Sequence, residues 1–234
     1  MRRFVEACEA VGATTKKLAK VARVSELFLA LPLQDAASAA TFLTGRPFAH
    51  RDERVLGVGG SQLAKIVAQI AGADAAELGK SYRAHGDLGD MAEHLLLKRA
   101  STADISLQQV ANMFDQLPNA RTSAQKMALV KELFTPMSAG EVKYAIKIMT
   151  GDLRIGLKES LVEEAIAKAY ERPIEAVRRA NMLTGDIGET LRSAAVNELA
   201  AIRMRLFVPI GFMLATPVET AVEILPEGRG AVLV

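Results

Sequence analysis

Cysteine, histidine and tryptophan are scarce in this chain of 234 residues, which has one cysteine (Cys8), three histidines (His50, His85 and His94) and no tryptophan. That supply cannot build a disulfide frame or a zinc site made of cysteine and histidine pairs. Aromatic side chains are only 5% of the total, too few for base stacking to be the main way of holding a single strand. No stretch reaches about 18 uncharged apolar residues, so no membrane span is expected. The first residues carry Arg2 and Arg3, but Glu6, Glu9 and Lys16 interrupt before any apolar run long enough for a secretory signal. An excess of one charge is missing too, with 29 Lys and Arg against 27 Asp and Glu and a net charge of +2. Any basic surface must therefore be local. What remains is an ordinary globular composition, 50% hydrophobic and 24% charged, in a chain long enough for one large core or two small ones.

An internal repeat organises the sequence. The segment from Leu56 lies without a gap over the segment from Ile155, pairing Gly57 with Gly156, Ser61 with Ser160, Ala68 with Ala167, Asp87 with Asp186 and Gly89 with Gly188, a spacing of 99 (156 − 57). Upstream, SELF (25–28) lies over KELF (131–134) and Thr44-Gly45 over Thr150-Gly151, a spacing of 106 (150 − 44). The first copy thus carries seven extra residues (106 − 99) in the loop after Gly45, within RPFAHRDERVL. Such loop insertions are what a helical repeat tolerates best.

Periodicity predicts helices nearly throughout. Leu18, Val21, Val24, Leu27 and Phe28 form one apolar stripe, and Met127, Val130, Leu133 and Phe134 form its counterpart. Gly72-Ala-Asp74, Gly86-Asp87 and Gly185-Asp186 separate short helices. The expected fold is all-α, a duplicated helical bundle with pseudo-two-fold symmetry, its two halves sharing a core.

Two motifs dissolve on inspection. Gly57-Val-Gly59-Gly60 lacks the third glycine of a dinucleotide loop at Gln62, and its context is helical. Gly79-Lys80-Ser81 imitates the end of a phosphate loop, but Asp74 stands where the first glycine belongs and Glu77 would face phosphates. Asp87 and Asp186, in the repeated G-D-[LI]-G, are better explained as helix N-caps than as a catalytic carboxylate pair.

The loops that open helices carry more chemistry. Arg121-Thr122-Ser123-Ala-Gln-Lys126 begins one helix, and Gly151-Asp-Leu-Arg154-Ile-Gly156-Leu-Lys158 leads into another. Thr14-Thr15-Lys16-Lys17 and Gly57-Val-Gly59-Gly60 through Lys65 hold the corresponding places in the first copy. Unpaired backbone N–H groups beside positive charge suit a phosphate. For any one loop, a solvated cap with surface lysines explains the residues equally well; four at repeat-related positions favour a shared anionic ligand. A polyanion with antiparallel strands, duplex DNA, matches a duplicated binder. The rival readings are a helical protein-interaction scaffold without DNA binding, for which the repeat supplies packing alone, and a self-contained enzyme, for which no arrangement of nucleophile, base and orienter stands out.

The run LTGRPF, LGVGGSQLAKIVAQIAG, HGDLGDMAEHLL, TSAQKMALVKELF, IKIMTGDLRIGLKESLVEEAIAKA and GDIGETL resembles, over about residues 14 to 205, the N-terminal DNA-binding domain of ATP-dependent DNA ligases. The resemblance implies a helical domain over 1–205, with repeat copies at about 14–98 and 120–204, that sits on the minor groove around a nick. It implies phosphate contacts from Arg121, Thr122, Ser123 and Lys126 and from Gly151, Arg154, Gly156 and Lys158. Gly57, Gly59, Gly60 and Lys65 correspond less closely, and Lys16 and Lys17 less again. Residues 206–234 resemble the linker into the family's nucleotidyltransferase domain, with Ala231–Val234 as the start of its first strand. The family's adenylated lysine lies in a K-x-D-G motif, and no lysine here is followed by x-Asp-Gly. The expectation is therefore a fragment that binds double-stranded DNA without sealing it and has no catalytic, metal or cofactor site of its own. ATP, Mg2+ and the remaining ligase domains belong to the parent chain, and the parent's work is nick sealing in replication, repair and recombination. A monomer is expected, cytoplasmic or nucleoid-associated and not secreted.

Overall fold

A computed structural model describes residues 1–97, 101–208 and 210. Among these residues there are twelve α-helices and no strand. The first six are α1 (Arg2–Gly12), α2 (Lys17–Ala30), α3 (Leu33–Leu43), α4 (Gly60–Ala71), α5 (Ala75–His85) and α6 (Leu88–Leu96). They are followed by α7 (Leu107–Gln116), α8 (Ser123–Phe134), α9 (Ala139–Thr150), α10 (Glu159–Ala169), α11 (Ile174–Thr184) and α12 (Ile187–Ala195). The expected strand at Ala231–Val234 and most of the linker lie outside the described residues.

The repeat spacing reappears in the helix boundaries. Helices α4, α5 and α6 start at residues 60, 75 and 88, and α10, α11 and α12 at 159, 174 and 187, each 99 further on (159 − 60). Local signals account for this. Asp87 and Asp186 are N-caps, accepting from the N–H of Asp90 at 2.9 Å and of Glu189 at 2.9 Å. Asp74 accepts from Ala76 and Glu77 at 2.8 Å while the Glu77 carboxylate takes the Asp74 N–H. Reciprocal caps of the same kind, Ser106 with Gln109, Thr122 with Gln125 and Ser138 with Glu141, open α7, α8 and α9. Each such cap is worth about 1 kcal/mol.

The packing crosses between the copies. Helix α4 packs on α8 and α10 on α2, while α6 packs on α9 and α12 on α3. Each copy therefore leans its later helices on the earlier helices of the other. Close backbone approaches repeat in the same crossed pattern. A Cβ on Gly89 of α6 would lie 2.9 Å from the Lys143 carbonyl oxygen of α9, and one on Gly188 of α12 would lie 3.0 Å from the Ala37 carbonyl oxygen of α3. Gly45 and Gly151, paired by the repeat, face each other's carbonyl oxygen where the two halves meet.

Phenylalanines knit the core. Phe4, Phe28, Phe42, Phe114 and Phe134 are fully buried, and Phe42 meets Phe4 and Phe114 edge-on with ring centroids 6.3 and 5.5 Å apart. The few aromatic residues are thus largely spent on packing. One member of the anticipated stripe departs: Leu18 is 82% exposed. It falls at the edge of the buried arc of α2, and in that first turn the inward position belongs to Lys20.

The seven-residue insertion is pinned rather than loose. The Arg51 N–H donates to the Gly185 carbonyl at 3.0 Å, and its guanidinium pairs with Asp186 and Glu189 at 3.2 Å. Arg54 pairs with Asp115 at 2.8 Å and lies 4.5 Å above the Phe48 ring.

Candidate nucleic-acid interface

Four helix starts make up the candidate site: those of α2, α4, α8 and α10. Three of them, with Lys16, Gly59 and Lys158 as N-cap residues, have no side-chain acceptor over their first N–H groups. In α4 the Gln62 side chain takes the N–H of Gly59 at 2.8 Å, and glycine returns no cap. The α8 start differs, because the Thr122 hydroxyl accepts from the Gln125 N–H at 3.2 Å. Thr122 thus spends an acceptor on its own helix, leaving the earlier N–H groups of Ser123 and Ala124 without it.

Hydrogen bonds join these starts in sequence. The Gln62 amide of α4 donates to Ser123 Oγ at the first residue of α8, 2.6 Å away. Lys126 Nζ, in the first turn of α8, donates to the Leu56 carbonyl at 3.2 Å, just ahead of Gly57 and α4. Lys20 Nζ, in the first turn of α2, donates to the carbonyls of Ile155 at 2.9 Å and Gly156 at 2.7 Å, just ahead of α10. The α4 start and the 151–158 loop meet across a cleft of about 600 Å³, lined by Gly60 and Ser61 on one side and by Thr150, Asp152 and Arg154 on the other. The structure therefore brings the Arg121–Lys126 start beside Gly57, Gly59 and Gly60, brings the Gly151–Lys158 loop beside the α2 start with Lys16 and Lys17, and places Gly60 and Arg154 on the lining of one cleft.

Charge and exposure separate the candidates. Lys16, Lys17, Lys65, Arg121 and Lys158 are exposed and make no ion pair with any described residue. Lys126 is half-buried and occupied by Leu56. Gly57, Gly59, Gly60, Gly151 and Gly156 are exposed, as are Thr122 and Ser123. Arg154 is exposed, and its Nε donates to Asp152 at 2.5 Å. That carboxylate holds the guanidinium above its ordinary pKa. Arg154 also has a φ of 49°, a left-handed conformation costing a residue with a Cβ on the order of 1 kcal/mol.

Beneath the cleft lies a buried ion pair, Lys147 Nζ to Asp87 at 2.9 Å, with both side chains under a tenth exposed. Burial opposes ionisation of Asp87, but the Asp90 N–H and the Lys147 ammonium outweigh it and hold its pKa below the usual 3.8. The repeat position of Lys147 in the first copy is Thr41 (147 − 106), too short for this duty. Arg51 from the insertion pairs with Asp186 instead.

Lys20, Lys147 and Arg51 did not stand out in the sequence. For Lys20 a signal existed, since it is the repeat partner of Lys126 (126 − 20 = 106). Chemically, the site offers N–H donors and cations. Such groups can hold anions.

Such a construction, helix starts and cations joined along two interlocked helical halves, defines a class of all-helical domain with donor-rich loops on its surface. The comparisons narrow the class. The family model for the DNA ligase N terminus matches residues 1–167. A probable DNA ligase of Koribacter versatilis is 47% identical over 234 residues, covering 100% of this chain and 41% of the relative. A probable DNA ligase of Opitutus terrae is 40% identical, with 95% of this chain and 25% of the relative covered. A DNA ligase of Methanocella arvoryzae is 31% identical, with 98% of this chain and 42% of the relative covered. The chain belongs to the DNA ligase N-terminus family, and it spans at most about two fifths of the length of these relatives.

Proposed function

We propose that this chain is the part of an ATP-dependent DNA ligase that grips double-stranded DNA around a nick, holding the backbones of both strands along the minor groove without reading bases. The observation that carries this reading is the pairing of the four helix starts, α4 with α8 and α2 with α10, with exposed cations free of ion pairs among the described residues at Lys16, Lys17, Lys65, Arg121 and Lys158 and with Arg154 on a cleft that Gly60 also lines. Two copies related by pseudo-two-fold symmetry would present equivalent donors to the two antiparallel strands. Contacts confined to phosphate position the protein and carry no sequence information, which is what an enzyme acting at any nick requires. The remaining ligase domains, with ATP and Mg2+, belong in this reading to the parent chain and supply adenylation and phosphodiester formation for replication, repair and recombination. Among the described residues no three His, Cys, Asp or Glu side chains gather where a metal could sit, and no helix is long and apolar enough to cross a membrane. The proposed state is a monomer in the cytoplasm or on the nucleoid.

Fluorescence anisotropy on two unrelated nicked duplexes tests the reading. With about five phosphates neutralised, log K falls against log salt with a slope near −4 to −5, the same for both sequences. Arg121→Ala and Arg154→Ala each flatten the slope by about one unit. Equal affinity of the wild type and the double variant would remove these residues from the site, and no retardation of DNA at low salt would favour a protein-interaction scaffold.

A further inference from the structure

We infer that Lys20 and Lys126 are crossed positioning residues: each is carried by one copy of the repeat, holds the glycine loop of the other copy in shape, and places a positive charge directly behind that loop's helix start. The inference rests on the DNA-binding reading and adds to it two residues that act without touching the ligand, one of them (Lys126) having been expected to contact phosphate itself.

The same contact occurs twice. Lys20 and Lys126 are 106 positions apart, and their acceptors, the carbonyls of Ile155 and Leu56, are 99 apart (155 − 56). In each case the lysine belongs to the first turn of one helix and its acceptor lies just ahead of the start of another, α10 or α4. The glycine that follows the acceptor is left-handed, with φ of 62° at Gly156 and 64° at Gly57. It is also the place where a Cβ would collide with the ammonium, 2.8 Å from Lys20 Nζ and 2.2 Å from Lys126 Nζ. Glycine at this point of both copies is required by the backbone, and a Cβ there would push the ammonium off its carbonyl.

Lys20 has a second peculiarity. It is 6% exposed, yet no carboxylate among the described residues lies within ion-pair distance, and only two carbonyls share its three N–H groups. The other strongly buried lysine, Lys147, has Asp87 at 2.9 Å. A buried cation without a counter-charge is costly, and an anion arriving at the adjoining surface offsets that cost. Behind the loop sits the ammonium; in front are the uncapped N–H groups of α10 and the exposed Lys158. A phosphate laid on that start touches the donors in front and is attracted by the charge behind them.

The test uses the whole chain with Lys20→Gln and Lys126→Gln, since glutamine can still donate to the carbonyls but brings no charge. Anisotropy is read across a salt series on the two nicked duplexes. Each variant is expected to bind about tenfold more weakly at low salt, equally on both sequences, with a slope shallower by about one unit. The coupling is expected to cross: Lys20→Gln is non-additive with Lys158→Ala, whose loop it holds, and additive with Lys65→Ala. Weaker binding with an unchanged slope would reduce the lysines to structural staples and overturn the inference, as would unchanged affinity. If Lys20→Gln does not fold, half-buried Lys126→Gln decides by the same outcomes. Wild-type chain that ignores both duplexes overturns the DNA reading itself, whereas wild-type binding matched by both variants overturns this inference alone.

Discussion

Adding one methyl group at two helical glycines is expected to change stability in opposite directions. Gly79 lies inside α5, where a Cβ would meet only the Arg83 guanidinium, at 3.6 Å. Gly79→Ala therefore gains the backbone entropy that glycine wastes in a helix, about 1 kcal/mol. Gly89 lies inside α6, where the same methyl would stand 2.9 Å from the Lys143 carbonyl oxygen and 2.9 and 3.0 Å from Cγ and Cε of Lys147. A carbonyl oxygen cannot step aside unless α9 moves, and moving α9 shears the Lys147–Asp87 pair as well. Overpacking costs about 3 kcal/mol at the upper end of its range. Less the helix gain of about 1 kcal/mol, a net loss near 2 kcal/mol remains. For a domain of this size each kcal/mol moves the thermal midpoint by about 2–4 °C, so Gly79→Ala rises by about 3 °C and Gly89→Ala falls by about 6 °C. Gly188→Ala, with contacts at 3.0 and 3.1 Å to Ala37 and Thr41, should follow Gly89→Ala in sign. Urea unfolding and thermal melts of the three variants measure this directly. Gly89→Ala rising alongside Gly79→Ala would refute the claim that α6 and α9 are locked at backbone contact.

Other outcomes follow from the ion pairs. Asp87 titrates below its ordinary value in the folded chain, so its contribution to stability is complete above about pH 4 and is lost as pH falls through the lowered pKa. Asp87→Asn keeps an acceptor for the helix cap but strands Lys147 with only Asp90 at 3.5 Å. It should cost about 3 kcal/mol at neutral pH, and the acid limb of its stability curve should be flatter than that of the wild type. Arg51→Ala should unpin the insertion from α12, seen as faster amide exchange at residues 46–54 while α6 and α9 keep their protection; equal exchange in both proteins would count against the strap. Incubation with ATP and nicked DNA should leave no covalent adenylate on this chain, as mass spectrometry would show.

Much of the fold could be read locally. Asp87, Asp186, Asp74 and Thr122 announced helix starts because a cap acts within three residues, and the duplicated pattern preserved one of these caps, Asp87 and Asp186, 99 positions apart. Leu18 misled because periodicity gives a stripe but not its edges. The crossed packing was out of reach, since no local pattern says whether α4 rests on α2 of its own copy or on α8 of the other. Arg51 was hidden for a related reason, its partner Asp186 being 135 residues away.

The candidate site divides along the same line. Helix starts flanked by Lys16, Lys158, Arg121 and Gly57 were legible one by one, because residue type and spacing determine what a loop can donate. That Lys20 of the first copy reaches 136 residues ahead to Gly156, and that Arg154 faces Gly60 across a cleft, was decided only when the halves interlocked. Amino-acid order alone determined a nearly all-helical chain of short amphipathic segments and the donors at their ends, since those depend on neighbours a few residues away. Tertiary assembly decided which ends share a surface, because that depends on backbone contacts between segments about a hundred residues apart.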